Sequence, residues 1–215
     1  MKKHTLFIIF IMAIALTIGI WREKQNSRTT HTAELFSQNL SLTVGTAISP
    51  AKPLAPFQFT DMNGKPFSVE QMKNRWSFVF FGYSSCPDIC PVTLTALHQI
   101  ALRVRAIPTV QFVFVSLDPA KDTPEKLKAF LEQDKYKEAR FIGVTGKKEN
   151  LYSFAQSLGI TALPNEDPAK IDHSGTILLI NPKGECAGIF STSDKPHLIA
   201  HDLKEIMHRT AQGMM

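Results

Sequence analysis

The apolar run WSFVFFGY, from Trp76 to Tyr83, places the strongest restriction on the fold of this chain. A strand with one face in water alternates apolar and polar residues, so a continuous run is typical of a strand buried on both faces. The run VQFVFVSL, from Val110 to Leu117, has the same character. Between the two runs, apolar residues recur at helical spacing: Leu94, Leu97, Ile100, Ala101 and Val104. The order strand, helix, strand predicts an α/β domain.

The rest of the chain continues this alternation. The pair Asn63-Gly64 separates two short strand-like runs and is typical of a hairpin turn. Thr123 and Pro124 suit a helix cap and a first helical position. ARFIGVTG predicts a strand, KKENLYSFAQSLGI a helix, TILLI and CAGIFS an antiparallel pair, and KPHLIAHDLKEIMHRT a closing helix. We therefore expect an α/β sandwich with a mixed central sheet, which is the layout of the thioredoxin fold.

The N-terminal segment differs in character from the rest. After the basic start MKKH comes the uncharged run TLFIIFIMAIALTIGIW, and no small-residue cleavage site ends it. Residues 1–21 are therefore expected to form an uncleaved transmembrane anchor rather than a removed signal peptide. Residues 22–53, rich in Ser, Thr and Asn, are expected to form a flexible tether, and residues 54–215 the folded domain. The basic start favours a bacterial inner membrane span with the domain in the periplasm.

The charge distribution argues against one class of partner. The formal net charge is +5, with 24 basic and 19 acidic residues mixed along the chain. The sequence has no lysine- or arginine-rich block and no basic stripe interleaved with aromatic residues. No nucleic-acid partner is therefore expected.

Two of the three cysteines, Cys86 and Cys90, follow the first buried strand in the segment SSCPDICPVTL. Their spacing suits a redox disulfide, a structural disulfide or two thiolates that converge on a soft metal ion. Because two prolines cannot both lie inside one regular helix, the helix is expected to begin at Pro91, and its N-terminus to lower the pKa of both thiols. Cys186 stands alone and is interpreted as an unreactive strand cysteine.

A soft-metal site with two sulfurs can be completed by an imidazole, and the chain has seven histidines. His173 lies in KIDHSG, just before a predicted strand, where a thioredoxin-like sheet would turn the loop towards the cysteines. Two thiolates and one imidazole suit Cu(I). Asp172 offers a carboxylate that can hydrogen-bond a ligating imidazole or form a turn. His197 and His201, four residues apart, are interpreted as part of a solvated helix face.

Taken together, these motifs resemble the Sco/SenC family, copper-binding proteins of cytochrome c oxidase assembly. The family pattern GYTHCPDVCP is similar to GYSSCPDICP here, and later family motifs are similar to VSLDPAKDTP, to GVTG at 143–146 and to DHS at 172–174. The resemblance extends from about Pro53 to the final helix. The chain departs from the pattern at Ser85, where histidine is usual, at Lys121, where arginine is usual, and in lacking an aromatic residue shortly before the Asp-His pair.

The resemblance implies that Cys86, Cys90 and His173 bind copper, as Cu(I) and also as Cu(II), with Asp172 supporting the histidine. It also implies that Cys86 and Cys90 can form a redox disulfide. The implied function is that of a metallochaperone rather than an enzyme, which delivers copper to the copper A-bearing subunit of a haem-copper oxidase. A periplasmic thiol reductant is an implied second partner, because thiols must be kept reduced in an oxidising compartment. Asp118 and Asp122 match family positions and are interpreted as turn and helix-start residues.

Other functions of the cysteine pair remain open. A thiol–disulfide oxidoreductase would use Cys86 and Cys90 to reduce the cysteines of the recipient. Against it, KIDHSG has no proline immediately before the next strand, where thioredoxin-type oxidoreductases carry a cis-proline. A peroxidase would need an arginine near the cysteines, and the sequence offers no obvious one. A purely structural disulfide would leave His173 unexplained.

Overall fold

The structure is a computed structural model that describes residues 42–164 and 171–213, without the side chains of residues 163, 164, 172 and 173. The expected anchor, residues 1–21, and the expected tether as far as residue 41 lie outside the described residues. Within the described part of the chain, no helix has both the length and the apolar character needed to cross a membrane.

Strands and helices alternate through the middle of the chain, as the sequence predicts. The strands are β1 (Thr46–Pro53), β2 (Phe59–Asp61), β3 (Pro66–Phe67), β4 (Trp76–Gly82), β5 (Val110–Ser116), β6 (Ile142–Thr145), β7 (Ala162–Pro164), β8 (Ile171–His173), β9 (Thr176–Ile180) and β10 (Glu185–Ser191). The α-helices are α1 (Ile89–Val104), α2 (Pro124–Leu131), α3 (Lys148–Ser157) and α4 (Pro196–Ala211). Short 3-10 turns lie at Val69–Gln71 and Lys137–Ala139.

The central sheet is mixed, which confirms the expected fold class. Its eight strands lie in the order β1, β10, β9, β4, β5, β6, β2, β3. β4, β5 and β6 are parallel, whereas the pairs towards both edges are antiparallel. β7 and β8 form a separate two-stranded antiparallel sheet. The predicted apolar strand is therefore central, with β9 on one side and β5 on the other.

The side chains of β4 and β5 alternate between two apolar cores, one on each face of the sheet. Phe78, Phe80 and Phe114 lie in the core that α1 and α4 cover. Val79 and Phe81 lie in the core that α3 covers. Each fully buried side chain of this size stabilises the fold by about 1.5–3 kcal/mol. The carboxyl end of β4, which leads to the cysteines, is thus held by packing on both faces.

Two local predictions are confirmed. β2 and β3 pair antiparallel around Asn63-Gly64. The Thr123 side chain accepts the N–H of Lys126 at 3.4 Å, and Pro124 is the first residue of α2. Both features depend on residues that are adjacent in sequence, and so can be predicted from short motifs.

The folded domain begins earlier in the chain than the boundary expected after residue 53. Thr46–Pro53 forms β1 and pairs with β10 at the edge of the sheet, so the last part of the expected tether belongs to the fold. The sequence does not predict this strand, because its prolines are unusual in strands and its pairing is interrupted by a register shift between Ala47 and Lys52. Prolines are tolerated there because an edge strand leaves one row of N–H groups without a neighbouring strand.

A buried carboxylate fixes the chain just before β1. Asp202 of α4 is 1% exposed and accepts the N–H groups of Thr43, Val44 and Gly45 at 2.8, 2.9 and 3.0 Å. Burial alone would raise the pKa of Asp202, but the three backbone N–H groups lower the pKa below its ordinary value. The compact unit accordingly begins at Leu42, earlier than the sequence predicts.

Candidate metal site

The cysteines lie where β4 gives way to α1. The N–H of Cys86 donates to the carbonyl oxygen of Tyr83 at 3.1 Å, which closes a turn after the strand. α1 begins at Ile89, so Cys90 is its second residue, and the predicted start at Pro91 is two residues late. Pro91 is compatible with this first turn because N–H groups there have no intrahelical partner to lose.

Both cysteine residues are buried. Cys90 is 0% exposed and Cys86 is 8% exposed, and their side chains hydrogen-bond each other. Gly82 leaves the space that Cys90 occupies, because a Cβ on Gly82 would lie 2.7 Å from Cys90 Sγ and 3.0 Å from the Phe114 ring. The structure brings Cys86 and Cys90 together, as their spacing predicts, whereas the role of Gly82 depends on this close approach and is not evident from the sequence.

The pKa of Cys90 shows that one electrostatic expectation is wrong. Burial raises the pKa of Cys90 well above its ordinary value, and the Cys86 side chain and the negative charge of Asp122 raise it further. A hydrogen bond from the Tyr83 backbone acts in the opposite direction but is weaker. The expected lowering by the helix N-terminus is therefore outweighed at Cys90. This sulfur keeps its proton at neutral pH unless a cation displaces it.

Asp122 anchors the cysteine-bearing loop. Its carboxylate is 0% exposed and accepts the backbone N–H of Ser84 at 3.0 Å, the Ser84 hydroxyl and, at 2.7 Å, the Ser116 hydroxyl. The loop after β5 is thereby joined to the loop after β4. The sequence predicts that Asp122 is a helix-start residue and does not predict its contact with Ser84. The signal was available, because the carboxyl ends of adjacent parallel strands bring their following loops together.

His173 is the last residue of β8, where its backbone pairs with Ala162 of β7. The side chains of His173 and Asp172 lie outside the described residues, so their predicted roles stay predictions. The structure describes the backbone on either side. The N–H of Ile171 donates to the hydroxyl of Tyr83 at 3.3 Å. The N–H of Ser174 donates to the carbonyl oxygen of Thr161 at 3.3 Å.

The turn after His173 reaches the start of α1. The N–H of Thr192 donates to the carbonyl oxygen of Gly175 at 3.1 Å. A Cβ on Gly175 would lie 2.8 Å from Thr192 Oγ1 and 3.3 Å from Ile89 Cδ1, so the turn packs closely against the residue before Cys90. The backbone that carries His173 is thus in contact with the cysteine loop through Tyr83 and with α1 through Ile89.

The remaining candidates lie elsewhere. Cys186 lies in β10, is 3% exposed and packs in the core on the α3 face of the sheet, whereas Cys86 and Cys90 belong to the core on the α1 face. His197 and His201 lie on the exposed side of α4. Among the described side chains, no three of His, Cys, Asp or Glu converge as a metal site, and that set does not include His173.

Sequence comparisons give the chain a family context. The SCO1/SenC family model matches residues 46–208. A Stutzerimonas stutzeri protein named as a candidate copper-binding protein is 37% identical over 142 residues, which are 64% of this chain and 68% of that protein. The mitochondrial protein SCO2 of Saccharomyces cerevisiae is 38% identical over 138 residues, which are 60% of this chain and only 44% of the yeast protein.

Solved structures resemble the same part of the chain. Arabidopsis thaliana ScoI with copper bound is 25% identical, with a TM-score of 0.65, and the match covers 72% of this chain and 98% of that one. Bradyrhizobium japonicum ScoI with copper bound is 29% identical, with a TM-score of 0.63, and the match covers 72% of this chain and 99% of that one. In those two proteins, a domain of this shape holds copper.

Proposed function

Because this chain belongs to the SCO1/SenC family, we propose that it is a copper chaperone that binds copper through Cys86, Cys90 and His173. The observation that carries the proposal is the pair of buried cysteines, in the turn before α1 and in its first turn, whose side chains hydrogen-bond each other. Similar domains hold copper in the Arabidopsis and Bradyrhizobium proteins. Two thiolates with one imidazole are ligands that suit Cu(I), and an imidazole also accommodates Cu(II).

The proposal extends to the cellular setting. Residues 1–21 would anchor the chain in a bacterial inner membrane, and the domain would act in the periplasm. The apolar run TLFIIFIMAIALTIGIW supports this location. The recipient would be the copper A-bearing subunit of a haem-copper oxidase during cytochrome c oxidase assembly, and a periplasmic thiol reductant would keep the cysteines reduced. Family membership supports these partners.

The proposed mechanism needs no catalytic acid or base. Copper is the cargo, and it exchanges between soft ligands on the chaperone and on the recipient. Each thiol releases its proton when the metal binds. Burial of Cys90 disfavours its thiolate form while no cation is present, and the bound cation would compensate that charge. Asp122 would hold the loop of Cys86 in place while Cys86 changes partners, because it is bonded to Ser84.

The same cysteines support a second candidate function, that of a thiol–disulfide oxidoreductase. The hydrogen bond between the Cys86 and Cys90 side chains brings the sulfurs within reach of each other, as a cycling disulfide requires. The raised pKa of Cys90 makes this thiol a poor attacking group, so the more exposed Cys86 would have to attack. A chaperone and an oxidoreductase differ in whether His173 matters, because only the metal site uses it.

An anaerobic Cu(I) titration tests the proposal. The full chain, reduced and in detergent, is titrated against a chromophoric chelator beside four variants: Cys86→Ser/Cys90→Ser, His173→Ala and the controls Cys186→Ser and His197→Ala. We expect one tight equivalent, its loss in the double variant, and weakening by more than about tenfold in His173→Ala. His197→Ala is a matched histidine control and should bind as the wild type does. Equal copper binding by His173→Ala and His197→Ala would show that His173 is not a copper ligand and would favour the oxidoreductase function.

A further inference from the structure

We propose that Tyr83 is a positioning residue of the metal site, whose hydroxyl holds the backbone of β8 and the Cys86 side chain together and so sets where His173 stands relative to the cysteines. This inference rests on the proposed function, because it concerns how the copper ligands are assembled. It assigns Tyr83 no contact with the metal.

The tyrosine hydroxyl lies at a junction between two elements. Tyr83 directly follows β4 and is 2% exposed. Its oxygen accepts the N–H of Ile171 at 3.3 Å, and its hydroxyl hydrogen-bonds the Cys86 side chain. A hydroxyl carries one proton and two lone pairs, so it can accept from Ile171 and still donate to a thiolate sulfur. A buried hydroxyl that loses its hydrogen-bond partners destabilises the fold, so both contacts favour a single arrangement.

The contact matters because β8 does not belong to the central sheet. β8 spans Ile171–His173 and pairs with β7 in the separate two-stranded sheet. Tyr83 continues from β4, at the centre of the eight-stranded sheet. Its bond to Ile171 therefore joins the two sheets directly, two residues before His173. The backbone of the histidine-bearing strand is thus fixed to the loop that carries Cys86.

The arrangement gives Tyr83→Phe a specific expected effect. Phenylalanine keeps the buried ring and removes only the hydroxyl, so the Ile171 N–H and the Cys86 side chain lose their shared partner. The position of β8 then becomes less defined, and the copper affinity that depends on His173 falls. The part of the affinity that comes from Cys86 and Cys90 falls less, because there only the contact between Tyr83 and Cys86 is lost. Removal of an outer partner of a metal ligand typically lowers metal affinity about 10–100-fold.

A double-mutant cycle on the full chain in detergent tests this reasoning. Cu(I) affinity is measured by chelator competition for the wild type, Tyr83→Phe, His173→Ala and the double variant. We expect Tyr83→Phe to weaken binding about tenfold in the wild type and by a clearly smaller factor in His173→Ala, where the effect through the histidine is absent and only the lost contact with Cys86 still acts. Tyr136→Phe is the matched control, since Tyr136 is 1% exposed and packs against Phe130 and Phe141. It should leave copper affinity unchanged.

A second readout separates positioning from general stability. Amide hydrogen exchange of Ile171 in the metal-free protein should be faster in Tyr83→Phe than in the wild type or in Tyr136→Phe. The inference is overturned if Tyr83→Phe binds copper as the wild type does, or if its effect is equally large with and without His173. Weak copper binding by the wild type, or indifference to His173→Ala, would instead contradict the proposed function itself.

Discussion

Gly82→Ala is the substitution whose consequence follows most directly from the geometry of the site. The added Cβ would lie 2.7 Å from Cys90 Sγ, where ordinary contact begins at 3.4 Å, so the atoms must separate by about 0.7 Å. The Phe114 ring, at 3.0 Å, is 0% exposed and blocks relief in its direction. Metal–ligand distances tolerate changes of only about 0.2 Å. We therefore expect Cu(I) affinity to fall at least about tenfold.

The same substitution should also destabilise the metal-free fold. Overpacking of a well-packed core costs about 1–3 kcal/mol, and about 2 kcal/mol corresponds to a fall in Tm of about 4–8 °C for a protein of this size. Differential scanning calorimetry and chelator competition measure the two effects separately. Gly188→Ala is the control, because its Cβ would lie 3.5 Å from the nearest atom, the Thr46 carbonyl oxygen. Copper binding by Gly82→Ala at wild-type strength would refute the idea that Gly82 positions Cys90.

Two further predictions concern the buried carboxylates. Asp122→Asn should reduce the free energy of unfolding in urea by about 2–3 kcal/mol, because Ser84 and Ser116 lose a charged acceptor; an unchanged urea midpoint would contradict this anchoring role. The pKa of Asp202 is lower in the folded protein than in the unfolded chain, so its stabilising contribution is complete above about pH 4 and is lost as pH falls through the folded value. Asp202→Asn should therefore flatten the decline of stability below about pH 4, measured by urea unfolding across pH, whereas a parallel decline would show that other groups cause it.

The parts of the fold that the sequence predicts depend on local patterns. The continuous apolar run Trp76–Tyr83 predicts a buried strand, because the side chains on both faces of such a strand must lie in apolar surroundings. The helix cap at Thr123 can be predicted because it depends only on neighbouring residues. The sequence does not predict β1, because its identity depends on a partner, β10, that lies far away in sequence. The sequence predicts a loop in place of β8 for the same reason, since its pairing with β7 is not encoded in the three residues Ile171–His173.

The features of the site that can be predicted are likewise those that depend on residues close together in sequence. The spacing of Cys86 and Cys90 predicts that they meet, and they do. The predicted direction of the pKa shift of Cys90 is wrong, because a helix terminus can be recognised in sequence, whereas the extent of burial emerges only when the sheet and α1 enclose the side chain. The role of Asp122 in holding the cysteine-bearing loop cannot be predicted from local sequence, because its partner Ser84 precedes it by 38 residues.

The unequal exposure of Cys86 and Cys90 has a consequence for the order in which the two residues react. Cys86 keeps 8% of its surface accessible, whereas Cys90 has none. An alkylating reagent or a recipient's thiolate would therefore reach Cys86 before Cys90. Under the proposed function, copper exchange would then begin at Cys86 and be completed at Cys90. The copper ion would then stay bound to protein ligands throughout the transfer and would not exist as a solvated ion.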